Sequence, residues 1–395
     1  MPEAVIVSGA RTPLGSFGGS FKDITASDLG ATAIKKALDR VELNPGEVDE
    51  VFFGNVLQSS EAGYTSRIAA LNAGISEEVP AISINRACSS GLEAINIAAQ
   101  MIKTGEIEVA VAGGAESMSQ SPFLLDYRAR FDGYKLGEIP MRDALLEGLT
   151  CPVNRYHMGR GAENIQERYE ISRQEQDELA LQSHQRAVAA IESHLFDSQI
   201  APVAVPQRRG DPTVVSVDEG PRGDSSMETL GSLRPVFKEN GTVTAGNASS
   251  INDGAAAVII MSEEKAHSLG IKPRLRWHAR GAAGVDPAFF GIGPVPAVKK
   301  ALTKAGMDIG DIDQAELNEA FAVQALYCIR ELGMDREKTN VNGSGISLGH
   351  PLGATGAIMT VKLAEEMDRQ DQEVGLVTMC VGGGMGVATI FQRIN

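Results

Sequence analysis

Two residues of this 395-residue chain stand at positions typical of a nucleophile and its base. Cys88, in the segment NRACSSGLEAI, precedes a helical pattern, where free backbone N–H groups and the helix dipole favour a thiolate. His350, in SGISLGHPLGATGA, lies between a glycine and a proline before another helical pattern, which suits a general base. The alternatives are a small buried thiol for Cys88 and a helix-capping loop residue for His350.

A second cysteine, Cys380, follows the apolar run EVGLVTM and precedes VGGGMG. Successive glycines let the backbone approach a ligand and direct N–H groups towards an oxyanion. A core cysteine in a tight turn is the alternative. Asn318, in ELNEAFAVQA, ends a strand pattern and opens a helical one, so it could orient a water, although capping that helix is its default role.

An internal repeat relates these positions to one another. Residues 33–55 align without a gap with residues 297–319, and each copy has the pattern of an amphipathic helix, a turn and a strand. The turn that carries Cys88 then corresponds to the turn that carries His350. Two helices that point their amino ends at a shared cleft would converge on a negatively charged intermediate.

Strand patterns that alternate with helical patterns predict an α/β fold with helices covering a sheet. We predict a first half over residues 1–119 plus 245–270 and a second half over residues 271–395. Residues 120–244, rich in Pro, Gly and charge, form an inserted loop region, partly ordered by a helical stretch at 159–191. Insertions of such length usually have a function.

The composition, with 43% hydrophobic and 22% charged residues, is that of an ordinary globular protein. A net charge of -15 argues against nucleic acid or an anionic membrane as a partner, so a polyanionic ligand needs a local basic patch or helix amino ends. The chain shows neither an apolar run of membrane-spanning length nor a secretory leader, and we expect a cytosolic protein. The cysteines lack CxxC spacings, which predicts reduced thiols and no metal site.

Eight segments, in order along nearly the whole chain, resemble the signature blocks of the thiolase family. They are ARTPLGSFGGS (10–20), NRACSSG (85–91), GGAESMSQSP (113–122), YHMG (156–159), TVTAGNASSINDGAA (242–256), LNEAFA (317–322), GHPLGATGA (349–357) and CVGGGMG (380–386). The resemblance implies duplicated βαβαβαββ halves packed in α/β/α/β/α layers. It also implies ping-pong acyl transfer between coenzyme A (CoA) thioesters through an acyl-cysteine.

The resemblance also assigns roles to single residues. Cys88 matches the acylated nucleophile, and His350 matches the base that activates it. Cys380 matches the cysteine that exchanges a proton with the α-carbon of the incoming acyl-CoA, and Asn318 matches the residue that holds a water beside His350. The backbone N–H groups of Cys88 and Gly382 match the oxyanion hole of the acyl intermediate. This chemistry requires no metal and no redox cofactor.

The family pattern further implies contacts to the acyl-CoA substrate, most of them in the inserted region. The matching residues are Leu149, His157, Met158, Arg222, Phe237, Ser249, Ala320 and Phe321. We expect Arg222 at the nucleotide end and Met158, Phe237 and Phe321 along the pantetheine arm. Ordinary core packing is the alternative for either phenylalanine.

Three features bear on the subclass. The CSSG at Cys88 is similar to degradative 3-ketoacyl-CoA thiolases, whereas YHMG is similar to short-chain enzymes. Phe290 stands where the family usually has methionine, and its ring would favour short acyl chains. We expect an acetyl-CoA C-acetyltransferase, with a 3-ketoacyl-CoA thiolase of broader chain length as the alternative.

A non-catalytic acyl-CoA-binding or lipid-binding protein is the alternative from a different class. Ketoacyl synthases share the duplicated fold, but the second cysteine in CxGGG argues against them. The segment at 123–143, FLLDYRARFDGYKLGEIPMRD, resembles a loop through which related enzymes form tetramers. A homodimer or homotetramer is therefore expected.

Overall fold

The computed structural model describes residues 1–58 and 61–394. Its strands are β1 (Ala4–Arg11), β2 (Gly15–Ser16), β3 (Glu50–Gly54), β4 (Ala81–Ile84), β5 (Val109–Ser117), β6 (Phe123–Leu125), β7 (Met141–Asp143), β8 (Val203–Val205), β9 (Thr213–Val215), β10 (Asn252–Ser262), β11 (Leu275–Gly284), β12 (Gln314–Leu317), β13 (Val374–Val381) and β14 (Met385–Arg393). The α-helices are α1 (Ala26–Asp39), α2 (Thr65–Asn72), α3 (Ser90–Thr104), α4 (Ala144–Gly148), α5 (Met158–Tyr169), α6 (Arg173–Glu192), α7 (Met227–Gly231), α8 (Glu263–Ser268), α9 (Pro294–Ala305), α10 (Ala322–Leu332) and α11 (Thr355–Gln370).

The strands repeat one arrangement in the two halves of the chain. In the first half β10 lies antiparallel between β1 and β5, and β3 and β4 continue parallel to β5. In the second half β14 lies antiparallel between β11 and β13, and β12 runs parallel to β13. The halves join where β1 and β11 pair at Val5 with Arg276 and Ile6 with Leu275.

Alternate strand residues divide the apolar core between helix layers. In the first half Val111 and Ile259 pack with α1 and α2, whereas Ala112 and Val258 pack with α3 and α11. The opposite face of the second-half strands packs on α9 and α10. The order is therefore α1 and α2, first-half strands, α3 and α11, second-half strands, then α9 and α10. The predicted duplicated, five-layered α/β fold is confirmed.

The two central helices approach each other closely at their amino ends. A Cβ atom added at Gly91 would lie 2.8 Å from the Gly353 carbonyl oxygen, and one added at Gly356 would lie 2.5 Å from the Leu92 Cβ. These separations are shorter than atoms tolerate, so only glycine allows the contact. Because Cys88 precedes α3 and His350 precedes α11, the contact brings the two turns together.

The chain between β5 and β10, predicted to be an inserted loop region, contains helices and short strands. The helical stretch predicted within it is confirmed as α5 and α6, which are separated by left-handed Glu170 (φ 52°). Ser172 begins α6 with a capping box that it forms with Glu175. Both helices pack against α10 of the second half. Among the residues that the structure describes, no helix is long and apolar enough to cross a membrane.

A buried ion pair attaches this region to β1. Arg11 donates hydrogen bonds to both carboxylate oxygens of Asp218, at 2.7 and 2.9 Å, and a third to the Gln199 side chain at 2.7 Å. The Leu14 backbone N–H also donates to Asp218, at 2.9 Å. Both charged side chains are fully buried, and removing one partner of such a pair is strongly destabilising. The pair therefore fixes the segment that leads to Arg222.

Candidate active site

Cys88 lies in a strained turn between β4 and α3. Ala87 has a left-handed φ of 43°, which costs a residue with a side chain about 1 kcal/mol. Hydrogen bonds hold the turn: the Ala87 N–H donates to Asn85 Oδ1 at 3.0 Å, and the Arg86 N–H donates to Ser90 Oγ at 2.8 Å. The turn leaves Cys88 half-buried.

Opposing effects act on the Cys88 thiol. Burial raises its pKa to about 11, and the negative charge of Glu116 acts in the same direction. The backbone N–H groups of Gly382 and of Cys88 itself hydrogen-bond to the sulfur and lower the pKa, but by less than burial raises it. The thiol is therefore protonated at neutral pH, and it needs a base to become a nucleophile.

His350 has the protonation state of such a base. Burial lowers the pKa of its imidazole to about 4, so the ring is neutral near pH 7. Its Nδ1 lies 2.7 Å from Thr355 Oγ1, and that hydroxyl donates its one proton to the Pro351 carbonyl at 2.9 Å. Nδ1 must then be the donor to Thr355, which leaves Nε2 with a lone pair.

Asn318 is a neighbour of His350. Its Nδ2 lies 3.3 Å from His350 Nε2 and donates to it, while its Oδ1 is buried without a hydrogen-bond partner in the described part of the chain. The N-cap of α10 is Phe321, and that of α11 is Ala354. The capping interpretations of Asn318 and His350 are therefore wrong.

Cys380 is fully buried near the end of β13. Burial raises the pKa of its thiol well above the ordinary value, and the nearby Cys88 and Cys328 raise it further. The turn that follows uses left-handed Gly383 and Gly384, with φ of 83° and 86°. Cys380 is not among the residues that line the cavity at Cys88.

A cavity of about 520 Å³ opens at Cys88, His350 and Gly382. All the residues expected from the sequence to contact the substrate line it. They are Leu149, His157, Met158, Arg222, Phe237, Ser249, Phe290, Ala320 and Phe321. The structure therefore brings together residues that come from the inserted region and from both halves.

Aromatic rings form one wall of this cavity. His157 stacks on Phe237 with ring centroids 4.6 Å apart, and burial lowers the pKa of the imidazole, which favours the neutral ring. The Phe321 ring makes T-shaped contacts with the rings of Phe237 and Phe290, with centroids 6.2 Å apart in each pair. These phenylalanines therefore pack in the hydrophobic core and also line the cavity.

A smaller cavity of about 270 Å³ adjoins the first one and shares Arg222 with it. His184 and Thr229 are among its lining residues, and neither was assigned a role from the sequence. The Arg222 N–H donates to His184 Nδ1 at 3.2 Å. Burial, followed by the charge of Arg222, lowers the pKa of His184 to about 4, which keeps its ring a neutral acceptor.

The sequence interpretation missed further residues that hydrogen-bond to the turns of the site. Glu116 accepts hydrogen bonds from the N–H groups of Val56, Leu57 and Gly353 at 2.8–3.0 Å, and burial raises its pKa to about 7. Its place at the end of an apolar strand, in GGAES, was an available signal. Thr355, five residues after His350, had no comparable signal.

Apolar side chains surround the thiol, since Met118, Leu149 and Leu352 pack with Cys88 in one cluster. Within residues 1–58 and 61–394, no group of three His, Cys, Asp or Glu side chains is arranged to hold a metal ion.

Comparisons with known proteins cover the whole chain. The thiolase amino-terminal domain matches residues 4–264, and the thiolase carboxy-terminal domain matches residues 271–393. A probable acetyl-CoA acyltransferase of Staphylococcus aureus is 50% identical over 394 residues, which is 100% of both chains. The beta-ketothiolase BktB of Cupriavidus necator is also 50% identical, over 99% of each chain.

Solved structures give the same result. The Bacillus anthracis acetyl-CoA acetyltransferase superposes with a TM-score of 0.97 at 47% identity, covering 100% of this chain and 99% of that one. Human mitochondrial 3-ketoacyl-CoA thiolase in complex with CoA superposes with a TM-score of 0.96 at 44% identity, covering 100% and 98%.

The pKa of the Cys88 thiol predicts how its alkylation depends on pH. Because only the thiolate reacts and its pKa is raised to about 11, the rate with iodoacetamide should rise about tenfold per pH unit between pH 7 and 10. Mass spectrometry of the Cys88 peptide measures the rate, and a Cys88→Ser variant corrects for the other thiols. A plateau below pH 8 would instead indicate a resting thiolate–imidazolium pair.

Proposed function

This chain belongs to the thiolase family, and we propose that it condenses two acetyl-CoA molecules to acetoacetyl-CoA and CoA, and catalyses the reverse thiolysis. The family predicted from the signature blocks, and its class as an acyltransferase, are confirmed. One observation carries the proposal. A protonated Cys88, with two N–H groups at its sulfur, shares a cavity with a neutral His350 whose Nε2 is unprotonated.

The first half-reaction acylates Cys88. His350 Nε2 takes the thiol proton, and the sulfur attacks the thioester carbonyl of acetyl-CoA. The N–H groups of Cys88 and Gly382 donate to the resulting oxyanion. The intermediate then expels CoA as a thiolate, which takes a proton from Cys380. The enzyme is left with an acetyl group on Cys88, a protonated His350 and a Cys380 thiolate.

The second half-reaction forms the carbon–carbon bond. The Cys380 thiolate removes a proton from the α-carbon of a second acetyl-CoA. The enolate oxygen accepts hydrogen bonds from protonated His350 and from a water on the free Oδ1 of Asn318. The enolate carbon attacks the acetyl group, and Cys88 leaves and recovers its proton from His350. Protons balance over the cycle without a metal or a redox cofactor.

The adjoining cavities suit the parts of an acyl-CoA substrate. The aromatic wall offers the pantetheine arm an apolar face, and Arg222, where the cavities meet, offers a cation to the nucleotide end. A local cation is needed because the chain carries a net charge of -15. A nucleophilic thiol must also stay reduced, and we therefore propose the cytosol as its compartment.

Thiolysis of acetoacetyl-CoA beside 3-ketooctanoyl-CoA tests the proposed reaction. The wild type should cleave acetoacetyl-CoA with the higher kcat/KM, and Cys88→Ser should lower kcat about 1,000-fold or more because the nucleophile is lost. Faster cleavage of the longer substrate would favour the degradative alternative. Binding of CoA without cleavage of either substrate would favour the non-catalytic alternative.

Phe290 is expected to limit the acyl chain. Its ring is buried against the edge of Phe321 and lines the cavity, so Phe290→Ala should raise the ratio of 3-ketooctanoyl-CoA to acetoacetyl-CoA turnover about tenfold. Phe289→Ala is the matched control, since the neighbouring ring packs under Arg168 and is not among the cavity-lining residues. An unchanged chain-length profile would exclude Phe290 as the limiting residue.

We also propose that the chain assembles as a homodimer or homotetramer, because the segment at 123–143 exposes many apolar side chains. Phe131 is 76% exposed and Phe123 is 64% exposed, and Leu136 is also fully exposed. Light scattering at micromolar concentration should give at least twice the mass of one chain, and Phe131→Glu should reduce it. Val214→Glu, at an exposed position on β9, should not change it. A monomeric wild type would contradict the assembly.

A further inference from the structure

Glu93 joins two guanidinium groups that belong to different halves of the chain. It lies in the first turn of α3, and its side chain is only 5% exposed. One carboxylate oxygen forms an ion pair with Nη1 of Arg86, in the Cys88 turn, at an N···O distance of 3.1 Å. The carboxylate also accepts from Arg280 of β11 through Nη2 and through Nε, the latter at 3.4 Å. The Arg86–Glu93–Arg280 clasp therefore connects the nucleophile's turn to the second half.

One end of the clasp, Arg86, lies on the turn that carries the Cys88 N–H group, and the other end, Arg280, lies on β11, which pairs with the strand that follows Gly382. Arg86 is two residues before Cys88 and directly precedes the strained Ala87. Arg280 pairs in β11 with Thr389 of β14, the strand that follows the glycine turn at 382–384. The donors of the hole, Cys88 N–H and Gly382 N–H, therefore come from different halves, and their separation depends on contacts between those halves.

We propose that Glu93 is a positioning residue that holds the Cys88 turn at the correct distance from Gly382. This inference rests on the proposed function, because it concerns the stabilisation of the acyl intermediate. The thiol and its base are held together independently, by the glycine contact between α3 and α11. Loss of the clasp should therefore impair acyl transfer, which needs both N–H groups, more than it changes the reactivity of the thiol, whose pKa depends first on burial and only in part on the Gly382 N–H.

Two rates measured on the same variants separate these effects. The first is the pre-steady-state acylation of Cys88 by acetyl-CoA, and the second is alkylation by iodoacetamide, which needs the thiolate but no oxyanion hole. Glu93→Gln and Arg280→Met should lower the acylation rate and kcat about tenfold. Alkylation between pH 7 and 10 and KM should stay within about twofold of the wild type. Arg280→Lys should recover part of the acylation rate.

Arg276→Met is the matched control. Arg276 also lies on β11 and pairs with a glutamate, Glu263, at 3.1 Å, but that pair does not involve the Cys88 turn. Its acylation and alkylation rates should both match the wild type. If Glu93→Gln does not fold, Arg280→Met decides the question, since it keeps the contact between Arg86 and Glu93.

Two results would overturn the positioning role. In the first, acylation is unchanged in the clasp variants. In the second, acylation and alkylation fall together, which would mean that the whole turn is disorganised. If the wild type cleaves neither acetoacetyl-CoA nor 3-ketooctanoyl-CoA, the proposed function itself is wrong. Wild-type activity is therefore measured before any variant is compared.

Discussion

The close backbone contact between α3 and α11 is the constraint on which the site depends. Gly91, Gly353 and Gly356 lack the Cβ atoms that would keep the amino ends of these helices apart. The turns before the helices carry Cys88 and His350, so the same contact that closes the central layer also brings together the proposed nucleophile and its proposed base. The Glu116 carboxylate stabilises this helix contact, because it accepts hydrogen bonds both from Gly353 and from the loop after β3.

Burial determines the electrostatics of the site. It raises the pKa of the Cys88 thiol and lowers the pKa of the His350 imidazole, so both groups are neutral in the resting protein. Proton transfer from Cys88 to His350 therefore creates two charges in an apolar setting, next to Met118 and Leu352. Hydrogen bonds then matter more than in water, which gives the fixed N–H groups of Cys88 and Gly382 their importance.

The inserted region contributes part of the cavity wall, and buried contacts attach it to both halves. The buried pair of Arg11 and Asp218 fixes it to β1, and α5 and α6 pack on α10 of the second half. Side chains from this region, such as His157 and Arg222, consequently face residues of both halves across one cavity. The insertion thus completes a cavity whose lining also comes from both halves.

The sequence predicts the duplicated fold and the positions of Cys88 and His350 before two helices, and its resemblance to the thiolase signature blocks predicts nine of the residues that line the cavity. These follow from local periodicity and from ordered signature blocks, which short stretches of chain specify. The folded structure was needed to show that Asn318 binds His350 rather than capping a helix, that Thr355 sets the tautomer of His350, and that Glu93 joins the two halves. A hydrogen bond or an ion pair depends on distances between residues far apart in the chain, which no local pattern encodes.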